Sequence, residues 1–251
     1  MRTLLLATLA IAALVPLACD GDMSAGQPTT ASSAIYLSLG DSVAAGNGAS
    51  DPRTTSFAAR VAADEGLTLV NLAVAGATTT EVIEKQLPEI TEAAAGRQVS
   101  LITISAGGND LAALIPNAAC QEDPLPATCP LDAALDGVSQ RLDTILADLR
   151  RSYPDTDIVL LAYPNFFSGT GHVFEAPAAR VLPRLGDTIR DIAARHDNVA
   201  VATPSFEGRG AELTHVLDER FDPHPNDAGH QLIADAIGKA RDRLRARRGR
   251  V

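Results

Sequence analysis

Apolar positions along the chain follow two periods. Five short runs, IYLSL (35–39), LTLVNLAV (67–74), VSLITIS (99–105), DIVLLAY (157–163) and NVAVAT (198–203), are almost continuously aliphatic, the pattern of strands buried on both faces. Between and after them, apolar residues recur at helical spacing over 56–65, 79–95, 132–152, 176–196 and 226–247, which predicts amphipathic helices. Regular alternation of the two patterns predicts an α/β fold with a five-stranded parallel sheet covered by helices on both faces. Two connections are longer than such a unit needs, 106–131 and 164–175, and long connections in compact domains often form lids or binding walls.

Composition narrows this to one domain. With 251 residues and 46% hydrophobic content, the chain can bury a single substantial aliphatic core, expected over 34–251. The formal net charge of -10 argues against a nucleic-acid partner, whose binding draws on clustered cations and counterion release. The late basic run RDRLRARRGR reads as a solvated helix end, where cations complement the helix dipole.

The first 19 residues join Arg2 to an apolar run over 4–15 and small residues before Cys19, the layout of an export signal and shorter than the ~20 apolar residues that span a bilayer. Leu17, Ala18 and Cys19 resemble the cleavage box of bacterial lipoproteins, with Pro16 where that box ordinarily has an aliphatic residue. The reading is a lipoprotein-type signal over 1–19, lipidation at Cys19 and a flexible polar linker over 20–33; the alternative is ordinary secretion with cleavage downstream, for instance after Ala25. Export implies an oxidising compartment, so Cys120 and Cys129 are expected to pair, leaving Cys19 as the odd thiol.

In open parallel sheets, ligands bind beyond the carboxyl ends of the strands. Polar residues follow those ends here: Gly40-Asp41-Ser42 after the first run, Gly76 within NLAVAGATT after the second, Gly107-Gly108-Asn109-Asp110 after the third, and His224 within FDPHPNDAGH near the C-terminus. A serine hydroxyl needs a neighbouring base to attack a carbonyl, and His224, followed by Pro225 and Asn226 at a helix start, can supply one. Taken singly, the glycines read better as turn formers, Asn109 as a helix cap and His224 as a structural or exposed histidine. No G-x-S-x-G elbow, phosphate-cradling loop or dinucleotide fingerprint is present, and His224 and His230 lack the spacing of a metal pair.

Together, the four segments in order resemble the SGNH hydrolases, or GDSL-type esterases and lipases, over roughly residues 34–240, with Val43 where the family's name has Leu. The resemblance implies a three-layer α/β/α flavodoxin-like fold and hydrolysis of carboxylic esters without a metal or cofactor. It also implies Ser42 as nucleophile, His224 as general base, and an oxyanion hole made by Ser42, Gly76 and Asn109. The family usually places its acid three residues before the histidine, a position held here by Phe221, while Asp222 stands two before. Asp222 precedes Pro223 and is therefore driven towards extended backbone, in which residues i and i+2 share a side, so Asp222 is the expected orienting acid. A backbone carbonyl near Arg220 or Phe221, or Asp218, are the alternatives. Asp41 and Asp110 are expected to cap and brace their loops, with Gly107 and Gly108 giving the turn its freedom. Phe166, Phe167 and Phe174 either line an apolar acyl site or plug the end of the sheet.

The resulting expectation is an exported monomeric ester hydrolase acting on a small-molecule or lipid acyl ester. It would meet the membrane only through a lipid on Cys19, or be secreted. Acyl transfer, glycan deacetylation and a non-catalytic surface-binding lipoprotein are the competing readings.

Overall fold

A computed structural model describes residues 34–120, 122 and 128–249. The expected export signal over 1–19, with Cys19, and the expected linker over 20–33 lie outside the described residues. The apolar runs form β1 (Ile35–Gly40), β2 (Thr68–Asn71), β3 (Val99–Ser105), β4 (Asp157–Leu161) and β5 (Val199–Ala202), joined in one parallel sheet of order β2-β1-β3-β4-β5. β1, β3 and β4 are buried almost throughout, as aliphatic strands covered on both faces must be. Edge strand β2 is only half-buried. It stops three residues before its apolar run does: the strand register ends at Ser38 opposite Asn71, although Leu72 N and Val74 N still donate to Ser38 O and Gly40 O of β1.

The helices are α1 (Ser42–Ala45), α2 (Phe57–Asp64), α3 (Thr79–Glu81), α4 (Ile90–Ala94), α5 (Gly108–Leu111), α6 (Leu131–Ser152), α7 (Glu175–Ala193), α8 (Gly210–Leu213) and α9 (Asp227–Arg248). α2 and α9 pack together on one face of the sheet, and α6 and α7 on the other, giving the three-layer architecture. α6 turns Leu135, Val138, Leu142, Ile145 and Leu149 inward, a three- and four-residue rhythm that makes one apolar stripe.

Two further features depart from the pattern-based expectation. The single helix over 79–95 is broken into α3, a π-turn over Val82–Gln86, a 3-10 turn over Leu87–Glu89 and α4. Pro88 offers no N–H to a continuous helix and crowds the turn before it. A short antiparallel hairpin, β6 (Thr214–His215) with β7 (Asp222–Pro225), precedes α9; the apolar pattern gave no sign of it. The long 106–131 connection holds α5 and two 3-10 turns and, as expected, is closed by a disulfide between buried Cys120 and Cys129.

Candidate active site

The site begins where β1 ends. Gly40 has φ +125°, and a Cβ there would lie 2.0 Å from the Ser105 carbonyl oxygen, so only glycine lets the end of β1 press against the end of β3. Asp41 follows, buried, with its amide bonded to Ser105 O at 2.9 Å. Its carboxylate accepts from Val43 N at 3.0 Å, Ser105 Oγ at 3.1 Å and Tyr163 Oη at 2.5 Å. Burial pushes this carboxyl up from its ordinary value, and those donors counter the push. With Asp41 as N-cap, Ser42 is the first residue of α1, where its own N–H precedes the helical bonding pattern.

Gln86, buried in the π-turn, grips Gly40 from behind. Its Oε1 accepts from Gly40 N and its Nε2 donates to Gly40 O, each at 2.8 Å. Single π-turns inside helices are frequent at functional sites, and this one delivers a neutral fork to the N–H and C=O of a residue two before Ser42.

His224 lies on β7. Its Nε2 is 2.7 Å from Ser42 Oγ, and its Nδ1 is hydrogen-bonded to the Asp222 carboxylate, which also accepts from the His224 backbone N at 3.0 Å. With a carboxylate on Nδ1, that nitrogen carries the proton and Nε2 presents a lone pair to the serine hydroxyl. Partial burial raises the Asp222 carboxyl, but the His224 backbone N–H and imidazole outweigh it and hold it below its ordinary value. Asp218, an alternative acid, is bonded instead to His215 Nδ1 at 2.6 Å.

The sheet order puts the end of β1 between those of β2 and β3, so Ser42 is flanked by the Gly76 loop and the Asn109 loop. Asn109 Nδ2 donates to Ala77 O at 3.0 Å; an amide nitrogen carries two hydrogens, and one remains for another acceptor. Gly76 has φ +82° and open space where a Cβ would point, so its need for glycine is left-handed backbone and not close approach. Gly107 likewise has φ +109°, whereas Gly108 serves by proximity: a Cβ there would sit 3.0 Å from the Tyr163 ring. The two β-ends are braced together by Asp110, which accepts from Thr79 N at 2.9 Å, Thr79 Oγ1 at 2.6 Å and Arg141 at 2.8 Å.

The aromatic residues of the 164–175 connection divide. Phe166 packs edge-on against fully buried Phe206 at 5.4 Å, a plug. Phe167, Phe174 and His172 cluster with Phe221, whose ring stacks on His172 at 4.9 Å and remains 49% exposed next to Asp222.

Gly48, Gln86 and Tyr163 went unread in the sequence. Gly48 has φ +84°, and a Cβ on it would be 2.3 Å from Pro225 O and 2.9 Å from His224 Cβ. The loop after α1 therefore rests directly on the backbone behind His224. The repeated glycines of AAGNG were its one visible signal; nothing in the sequence marks Gln86.

The profile of the GDSL-like Lipase/Acylhydrolase family matches residues 38–232. Comparison with curated proteins gives no match. Among solved structures, phospholipase A1 from Streptomyces albidoflavus NA297 is similar with TM-score 0.61 and 22% identity, covering 83% of this chain and 99% of that one. An extracellular lipase from Streptomyces rimosus gives 0.61 and 23%, over 83% and 100%. Axe2, an acetylxylan esterase from Geobacillus stearothermophilus, gives 0.55 and 18%, over 84% and 95%. At these identities the likeness is one of fold.

Proposed function

The chain belongs to the GDSL-like lipase/acylhydrolase family of carboxylic ester hydrolases, and from that premise we propose that Ser42 is its nucleophile, His224 its general base and Asp222 the acid orienting His224. The observation that carries this reading is the continuous chain Ser42 Oγ, His224 Nε2, His224 Nδ1, Asp222 Oδ1. Ser42 Oγ attacks the acyl carbon as its proton passes to Nε2, and the imidazolium formed is stabilised by Asp222. The carbonyl oxygen becomes an oxyanion received by the backbone N–H groups of Ser42 and Gly76 and the free hydrogen of Asn109 Nδ2. Collapse expels the alcohol, which takes the proton from His224. Water, deprotonated in turn by His224, then attacks the acyl-serine and releases the carboxylic acid and free Ser42.

The substrate is a small-molecule or lipid acyl ester. The apolar run over 4–15 and the Leu17-Ala18-Cys19 box support export, with the protein held to a membrane by a lipid on Cys19 or secreted, and the protein acts as a single-domain monomer; Cys19→Ala should release an anchored protein into the soluble fraction.

The test is a panel of p-nitrophenyl acyl esters of graded length with the parent and Ser42→Ala. Loss on the order of a millionfold in kcat is expected, together with an acyl adduct on Ser42 in the parent, detected by mass spectrometry. Turnover surviving Ser42→Ala would overturn the mechanism. Competing alcohol acceptors in the same assay separate hydrolysis from acyl transfer.

A further inference from the structure

Two successive carbonyls behind the catalytic histidine are held by two different imidazoles. Asn47 O faces His230 Nε2 at 2.9 Å and Gly48 O faces His215 Nε2 at 2.9 Å. The first is a fixed structural bond. His230 is fully buried, its Nδ1 accepts from Phe57 N at 3.2 Å, and burial holds the ring below its ordinary value, in the neutral form. The second differs in kind. His215 Nδ1 faces the Asp218 carboxylate at 2.6 Å while Nε2 faces a carbonyl. Both partners are acceptors, so both bonds exist together only when the ring carries two protons.

The position of this ring matters because of what it straps. His215 is paired with Asp222 across the β6–β7 hairpin, and Gly48, on its other side, rests against His224 and Pro225. A single side chain thus ties the loop that follows the nucleophile to the hairpin that carries the acid and the base. Because the inference rests on the roles proposed above for Ser42, His224 and Asp222, its test must separate the two.

We propose that His215 is a positioning residue for the ester-hydrolysing site: as an imidazolium bridging Asp218 and Gly48 O, it fixes the loop against which His224 is seated, and it releases that loop on losing a proton. When neutral, the ring keeps its remaining proton on the Nδ1 side, where the acceptor is a carboxylate, and turns a lone pair towards Gly48 O. The groups around it favour the cation. Asp218 and Asp222 face it from the hairpin, Glu219 and Arg220 share the same surface recess, and Gly48 and Ala49 form the opposite wall. Partial burial lowers its affinity for the proton, but the Gly48 carbonyl, Asp218 and then Asp222 outweigh this and hold it above the ordinary histidine value. Activity therefore falls on the alkaline side as His215 deprotonates.

The experiment measures kcat and KM for p-nitrophenyl butyrate across the neutral and alkaline range in the parent, His215→Ala, His215→Gln and Ser42→Ala. His215→Ala should lower kcat roughly 10- to 100-fold, the scale of a sub-ångström to ångström misplacement, with KM within about twofold. His215→Gln, whose amide donates without titrating, should recover kcat to within about threefold and lack the parent's alkaline decline. Parental kcat in His215→Ala, or an unchanged alkaline decline in His215→Gln, overturns the proposal. If His215→Ala does not fold, the His215→Gln profile decides alone. Activity persisting in Ser42→Ala is a separate failure, that of the catalytic reading itself.

Discussion

Adding one methyl group at Gly48 should disable the site without touching a reacting atom. A Cβ built there lies 2.3 Å from Pro225 O, while ordinary contact begins at 3.4 Å. Something must therefore move by 3.4 - 2.3 = 1.1 Å. The neighbouring Asn47 carbonyl is pinned from outside the hairpin by buried His230 of α9, so the hairpin gives way and carries both His215 and His224 with it. Displacement of that size, set against a Ser42–His224 bond of 2.7 Å, costs about 100-fold in kcat, or ~2.7 kcal/mol of barrier. Stability suffers separately: left-handed backbone at a non-glycine residue costs ~1–2 kcal/mol and overpacking ~1–3 kcal/mol. Gly66→Ala isolates the first of these, since Gly66 has φ +63° and nothing within 4 Å of a Cβ. Thermal melts and p-nitrophenyl ester kinetics on both variants make the comparison. Gly66→Ala should lose stability and keep its kcat; Gly48→Ala should lose both. A folded Gly48→Ala enzyme within about twofold of the parental kcat would refute the seating of His224 on this loop.

Asn109→Ala should lower kcat by about 10²–10³, ~2.7–4 kcal/mol, if its amide meets the oxyanion; steady-state kinetics showing less than a tenfold loss would remove it from that role. Gln86→Leu leaves the buried Gly40 N–H without its acceptor, whereas Gly40 O keeps the Val74 N–H at 3.0 Å. One orphaned buried donor costs ~1–3 kcal/mol, read as a lower urea midpoint, and an unchanged midpoint would deny the clamp. Stability should also depend on pH at both ends. Asp222, held low, contributes stability that is present above its unfolded value of about 3.9 and lost as pH falls through its lower folded value. His215, held high, contributes stability that is fully present below about 6.5 and lost as pH rises through its higher folded value. Urea midpoints against pH should flatten on the acid side in Asp222→Asn and on the alkaline side in His215→Gln; a parental profile in either would remove that residue from the balance.

The fold was readable because burial on both faces writes continuous aliphatic runs, and β1, β3 and β4 appear where those runs occur. Apolar character reports burial and not pairing, which is why the run over 67–74 overshoots β2: Leu72 and Ala73 pack against the core after the strand has ended. Helical spacing across 79–95 persists through a π-turn and a 3-10 turn because both keep side chains near the same face, so only Pro88 marked the break. The β6–β7 hairpin is too short for any alternation to show. Motif residues were legible as types in order. Gly48, Gln86 and His215 were not, because their importance lies in distances between segments as far apart as Gly48 and Pro225.

The contact between Asp222 and His224 shows how strand geometry can set a motif's spacing. Across β7 the backbone is extended, a state that Pro223 imposes on Asp222, and side chains alternate between two faces. Residues 222 and 224 therefore share one face, and one carboxylate oxygen binds both the His224 backbone N–H and its Nδ1. These two hydrogen bonds fix the backbone and the ring at once, orienting the imidazole from within its own strand. The residue three before the histidine, Phe221, stands just outside β7 and stacks on His172 and Phe167. A side chain at 221 sits among those rings, so in this chain the carboxylate two residues before His224 is the one that extended backbone brings to the imidazole, leaving position 221 to the aromatic cluster.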